Sequence, residues 1–230
     1  MTARFTHKPI ELNYDLSAKS TKIGRLYHVP SGNYYPSMTT VLGWFKKDSI
    51  HAWRAAVGAE EANRVARHAC ARGNAIHHTA ERYLNNEDAY LKEGTMPHVI
   101  QMWHSMKKIL DKRVNNIVMQ ECPLYSDELM MAGRVDLIAD FDSKPSIIDF
   151  KTSSRYKTLE EITDYCLQAT GYSLMFEERT GQKIDQLVII MVVEGSDDSL
   201  VFIEPRDKWI KPLKEKRDQY FEHLETVKYQ

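Results

Sequence analysis

Met131-Ala132-Gly133-Arg134-Val135-Asp136-Leu137-Ile138-Ala139-Asp140-Phe141, followed by Ser146-Ile147-Ile148-Asp149-Phe150-Lys151-Thr152, is the stretch on which the reading of this chain turns. Both segments are short, apolar and β-branched, and turn residues separate them, so they read as adjacent strands of a hairpin. That pairing lets Asp136 and Asp149 lie side by side. Period-two alternation puts Asp149 and Lys151 on one face and sends Ile148 and Phe150 the other way, toward the core. Two carboxylates and one ammonium therefore meet at one place on a sheet.

Outward from this hairpin, Ile117–Cys122 reads as a preceding strand, and Leu187–Val193 and Leu200–Ile203 as two later ones joined by Gly195-Ser196-Asp197-Asp198. Between them, Leu159, Ile162, Cys166, Ala169, Ser173 and Phe176 recur at helical spacing and predict a helix to about Arg179. A charged helix beginning near Pro205, anchored by Trp209 and Leu213, closes the chain. Upstream, helical patterns cover Ser49 to about Leu84, with one or two breaks and a glycine at position 73, and Pro97 to about Val114. Pro36-Ser37-Met38-Thr39-Thr40 looks like a helix start, and Tyr27–Tyr35 like a small hairpin around Ser31-Gly32-Asn33. The fold class is therefore α/β (α+β): a central mixed sheet flanked by helices, behind a helical N-terminal part. One domain over residues 1–230 is expected, with hairpin and helices in 1–115 and the sheet core and last helix in 116–230.

Composition bounds the function without naming it. The chain has 230 residues, 43% hydrophobic and 27% charged, enough for a real core. Its longest purely apolar run, Leu187–Val193, is too short to span a bilayer, so no membrane partner is expected. The N-terminal stretch Met1–Asp15 lacks a signal-peptide core and carries Glu11 and Asp15, which points to a cytoplasmic, non-secreted protein. Cys70, Cys122 and Cys166 are odd in number and widely separated, which excludes a disulfide framework or a cysteine-held metal and fits a reducing compartment. A net charge of −1 neither announces nor excludes a nucleic-acid partner, because an acidic metal cleft and basic phosphate contacts cancel in the sum.

An Asp-x-Lys on a solvated strand usually means nothing. Here both flanking segments are apolar enough to be central strands, where unpaired charge is costly, so the cluster needs a reason. A hard cation held by oxygens supplies one: Mg²⁺ or Mn²⁺ takes carboxylates and waters, activates a bound water and polarises a phosphoryl oxygen. A lysine two residues from a ligand can orient the attacking water, help remove its proton, or stabilise the added negative charge.

Gly133-Arg134-Val135-Asp136 followed by Asp149-Phe150-Lys151-Thr152 resembles the PD-(D/E)XK nuclease superfamily, and specifically its RecB-like exonuclease branch. Arg72-Gly73-Asn74-Ala75-Ile76-His77 resembles that branch's upstream helix motif, and Gln168-Ala169-Thr170-Gly171-Tyr172 its downstream Gln-x-x-x-Tyr motif. All arrive in the family's order, which is far more specific than any one of them. Pro36–Leu42 and the strands after Gln186 extend the likeness to compact stand-alone members, such as the mitochondrial genome maintenance exonuclease and related phage exonucleases. The resemblance implies a restriction-endonuclease-like core and a metal-dependent deoxyribonuclease that degrades DNA from ends and prefers single strands. It implies that His77, Asp136, Asp149 and the backbone carbonyl of Phe150 hold Mg²⁺ or Mn²⁺, with Lys151 assisting the attacking water. Some relatives carry a four-cysteine iron–sulfur cluster, which three scattered cysteines do not provide for.

Each residue also has a bland reading. A lone helical histidine is usually packing or surface, and only the Arg-Gly-x-x-x-His context, with Gly73 leaving room for a close backbone approach, raises His77 above that. Gln168 and Tyr172 share a helix face and either pack over the sheet or reach phosphate oxygens and brace Lys151. Glu121 reads more readily as structural than as a ligand through water. Lys46, Lys47, Arg64, Arg67 and Arg72 make a basic face, of which Arg72 is the candidate for nucleic-acid contact. Trp44, Trp53, Tyr34 and Tyr35 are either base-stacking platforms or core. Two alternatives remain open: a structure-specific or restriction-type endonuclease on the same fold, and a catalytically silent nucleic-acid-binding accessory module for recombination.

Overall fold

The computed structural model describes residues 4–228, so the first three residues of the N-terminal stretch discussed above lie outside it. A five-stranded mixed sheet forms the centre, in the order β4 (Val114–Ser126), β5 (Met131–Phe141), β6 (Lys144–Ser153), β7 (Gln186–Val193) and β8 (Ser199–Pro205). Neighbours run antiparallel except β6 and β7, which are parallel. Between those two the chain crosses over through a short 3-10 turn, Glu160–Ile162, and α5 (Thr163–Thr180), as parallel pairing requires.

Strand alternation divides the core. Ile148 and Phe150 of β6, with Val188, Ile190 and Val192 of β7, pack against α3 (Ala59–Leu84) and α4 (Pro97–Arg113). Ile147, Leu187, Ile189 and Met191 face the other layer, built from α1 (Met38–Trp44), α5 and α6 (Asp207–Lys228). Full burial of each such aliphatic side chain contributes roughly 1.5–3 kcal/mol, so both faces hold the sheet. Because helices cover both sides of β6, a charge on this strand is enclosed even toward its C-terminal half. Asp149 and Lys151 lie there.

The helices start and stop for local reasons. Ser37 caps α1, its hydroxyl accepting the Thr40 N–H at 3.0 Å, and Pro97 opens α4 where no N–H is needed. The break in the upstream helical run is at Gly58, whose φ of +85° separates α2 (Lys47–Val57) from α3. Gly73 sits inside a continuous 26-residue helix. Three strands, β1 (Ser17–Thr21), β2 (Gly24–His28) and β3 (Tyr34–Pro36), form a second small sheet. The last two are the expected hairpin, and β1 was not anticipated, because SAKST has no apolar alternation. Among the described residues no helix is long and apolar enough to cross a membrane.

Candidate metal and active centre

Pairing of β5 with β6 ends at Leu137 opposite Ile148. One step further, in the same register, Asp136 stands opposite Asp149, where the strands have stopped exchanging hydrogen bonds. The Asp136 carboxylate takes the next free amide itself, accepting the Phe150 N–H through Oδ2 at 2.8 Å. His77 comes from α3 on the opposite side, and its Nε2 lies 3.0 Å from the Phe150 carbonyl oxygen. Its other nitrogen is 3.5 Å from Asp136 Oδ1 and 3.6 Å from Glu121 Oε1.

Glu121 therefore belongs to the cluster. It lies where β4 skips a pairing opposite Asp136, between Gln120–Leu137 and Cys122–Val135, and its φ is +44°. A non-glycine residue in the left-handed region costs about 1–2 kcal/mol, and such outliers gather at functional sites. The ligand atoms of His77, Glu121 and Asp136 all lie within 4.8 Å of one another. Asp149 stands outside that trio, where its Oδ2 is ion-paired with the Lys151 ammonium and its Oδ1 is buried without a hydrogen-bond partner.

The electrostatics are those of an acidic cluster short of positive charge. Burial, then Asp149, push the Asp136 carboxyl up to about 6, against the pull of His77, Lys151 and the Phe150 N–H. Burial lowers the His77 imidazole, but Asp136 and Glu121 outweigh it and raise the group to about 9. Lys151 is buried too, yet Asp149 and Asp136 raise it above the ordinary lysine range. Burial and the same two aspartates push the Tyr172 phenol well up. Three carboxylates against the Lys151 ammonium and the His77 imidazolium, with an unpartnered Asp149 oxygen, suit a hard divalent cation. The 3.0 Å contact between His77 Nε2 and the Phe150 oxygen is a hydrogen bond that leaves Nδ1 facing Asp136 and Glu121.

The profile of the PD-(D/E)XK nuclease superfamily matches residues 48–228, a span containing every one of these side chains. The chain belongs to the PD-(D/E)XK nuclease superfamily. That superfamily is one of nucleases, which generally use divalent metals such as Mg²⁺. The crystal structure of SSO0001 is similar in part, at 16% identity over 61% of this chain and 65% of that one, with a TM-score of 0.31. The match thus spans less than two thirds of that protein's length. The chain matches no curated protein.

Around this acidic centre the remaining candidates take different places. Gln168 donates through Nε2 to the Tyr172 hydroxyl at 3.0 Å, and both line a cleft of about 190 Å³ beside Asp136. Arg25, Ser37, Thr39 and Arg134 line the same cleft, and sequence reasoning names none of the four as a site residue, because they come from three separate segments. Lys151 is instead flanked by Tyr165, with Nζ 5.0 Å from the ring centroid. Tyr165 was legible in principle, lying three residues before Gln168 and seven before Tyr172 on one helix face.

Arg72 is only 7% exposed and is ion-paired with Glu194, so it points away from a free phosphate track. The close approach expected at Gly73 is absent, since an added Cβ would meet only Thr152 Oγ1 at 3.8 Å. Lys46 is taken by Asp164 and Arg64 by Glu61, while Lys47 and Arg67 are exposed. Of the aromatic candidates, Tyr35 is buried and Trp44 packs against Phe45, Tyr220 and His223; Tyr34 and Trp53 are exposed.

Proposed function

We propose that this nuclease is a Mg²⁺- or Mn²⁺-dependent DNA exonuclease of the RecB-like branch, acting from ends with a preference for single strands. One observation supports it most: His77, the Phe150 carbonyl, Asp136 and Glu121 converge on the strand that carries Asp149 and Lys151. Asp136, Asp149, His77 and the Phe150 carbonyl hold the ion, and Glu121 joins them directly or through water. When bound, the ion lowers the pKa of a coordinated water and polarises a phosphoryl oxygen.

The chain's own groups do the rest. Lys151, charged and flanked by Tyr165, orients the attacking water or stabilises the charge that builds on the phosphate. Gln168 and Tyr172 hold the cleft wall beside Asp136, and exposed Arg25 and Arg134 at its mouth suit backbone phosphates. Exposed Trp53 offers a stacking face for an unpaired base, which favours single strands. Residues 1–230 act as one nuclease domain in this reading.

The test compares end-labelled linear single-stranded DNA with its covalently closed circle, each in EDTA, Mg²⁺ or Mn²⁺. Metal-dependent loss of the linear strand alone is expected, with a drop of about 10²–10⁴-fold in the Lys151→Ala variant. Cutting of the circle would replace the exonuclease with an endonuclease. Full activity of Lys151→Ala would remove this centre from the chemistry.

A further inference from the structure

A second cluster of metal-binding donors lies on a neighbouring face of α3, away from the acidic centre. His68 on α3, His98 at the start of α4 and Glu194 just beyond β7 bring one ligand atom each within 4.8 Å of one another. The two imidazoles stack with centroids 5.4 Å apart and planes 26° from parallel. Neither ring has a hydrogen-bond partner among the described residues. Two aligned imidazoles beside a carboxylate offer three donors at one place.

Glu194 is held ready. Its backbone N–H donates to the Ser153 carbonyl at 2.9 Å, tying it to the end of β6, and Arg72 grips Oε2 from the helix. Oε1 is left for another partner. A hydrogen-bonded carboxylate of this kind is the usual support for a metal ligand, because it fixes the orientation before the ion arrives. His68 is exposed and His98 half-buried, so both rings can close the remaining distance by rotation toward bonds of about 2.0–2.2 Å.

We propose that His68, His98 and Glu194 form a second metal site, separate from the nuclease centre, for a borderline ion such as Zn²⁺. The donor set decides the ion: two nitrogens and one oxygen suit Zn²⁺ or Co²⁺, whereas Mg²⁺ prefers an all-oxygen shell and keeps its waters. Three protein ligands leave a fourth position for water. The ion would clamp α3 and α4 to the segment leaving β7, beside the strand that carries Asp149 and Lys151.

The measurement is Zn²⁺ binding by calorimetry, with Co²⁺ absorption as a check, on the full chain and on its His68→Ala, His98→Ala and His77→Ala variants, all in excess Mg²⁺. The full chain and His77→Ala should keep one Zn²⁺ equivalent that both His68→Ala and His98→Ala lose. Zn²⁺ should raise the melting temperature of the first pair and leave that of the second unchanged. Retention of that equivalent by either His68→Ala or His98→Ala, or its loss in His77→Ala, would overturn the site. So would a full chain that binds no Zn²⁺ in excess Mg²⁺. None of these outcomes depends on cleavage.

Discussion

Asp136 accepts the backbone N–H of Phe150 at 2.8 Å, on the residue whose carbonyl faces His77 at 3.0 Å. A single peptide segment is thus held from both sides, by a strand carboxylate and a helix imidazole. The bond is structural as well as chemical, since it replaces the ladder pairing that stops at Leu137 and Ile148.

The two roles separate by substitution. Asp136→Asn keeps an oxygen to accept the Phe150 N–H and removes the charge, so its denaturant midpoint should stay near that of the native chain. Its metal affinity and cleavage should collapse. Asp136→Ala loses the acceptor as well and should be less stable than the asparagine variant by about 1–3 kcal/mol, the cost of a buried amide left unpaired. Equal stability of the two variants in urea would mean that the bond to Phe150 contributes nothing to folding.

Gly133 is fixed by its neighbour. A Cβ there would lie 2.7 Å from Tyr172 Cε1 and 3.0 Å from its hydroxyl oxygen, and Tyr172 is buried and bonded by Gln168. Gly133→Ala should therefore destabilise by about 1–3 kcal/mol through overpacking. In a Tyr172→Ala background the same change should cost little, because its obstacle is gone. Additive effects in this double-mutant cycle would show that the clash is relieved elsewhere.

How much of this was legible follows from what each signal encodes. β5 appears in the sequence at its full length, because alternation and the flanking turn residues are local facts. The facing of Asp136 and Asp149 follows from hairpin register, which is nearly local. Glu121 reads in the sequence only as a secondary candidate, because its place depends on a skipped pairing and a positive φ, neither of which has a residue-type signature outside glycine and asparagine. The cleft wall of Arg25, Ser37 and Arg134 is assembled by the docking of the small sheet on β5, where Ser37 meets Ala132, and no spacing rule reaches across that distance. The ion pair of Arg72 escapes the sequence for a related reason: its motif context marks the helix, but its partner Glu194 lies 122 positions away.

Tyr165 gives a sharper handle on Lys151 than removing the lysine. Its ring faces the ammonium, and its hydroxyl accepts from Lys157 at 3.1 Å. Tyr165→Phe keeps the ring and should retain most activity. Tyr165→Leu loses the cation–π contact, worth about 0.5–2 kcal/mol, and should lower kcat about 2- to 30-fold with little change in KM. Equal activity of the two variants in a cleavage assay would show that the ring face does not position Lys151.

Asp164 sets a pH dependence remote from the chemistry. At the start of α5 it pairs with Lys46 at 2.7 Å and Lys216 at 2.8 Å, joining the α1–α2 junction to α6. Partial burial raises its carboxyl, but the hydrogen bonds from Lys216 and Lys46 outweigh this and hold it below the ordinary aspartate range. A carboxyl depressed by folding contributes stability that is complete above the unfolded value, about 3.9, and is lost as pH falls through the lower folded value. Asp164→Asn should therefore cost roughly 1 kcal/mol in urea unfolding between pH 5 and 7, in line with exposed to half-buried pairs. The gap should narrow below about pH 3.9, as the native carboxyl takes up its proton and both lysines lose their partner. A gap as wide at pH 3 as at pH 7 would assign the loss to packing at the helix start, and the two ion pairs would then be incidental to stability.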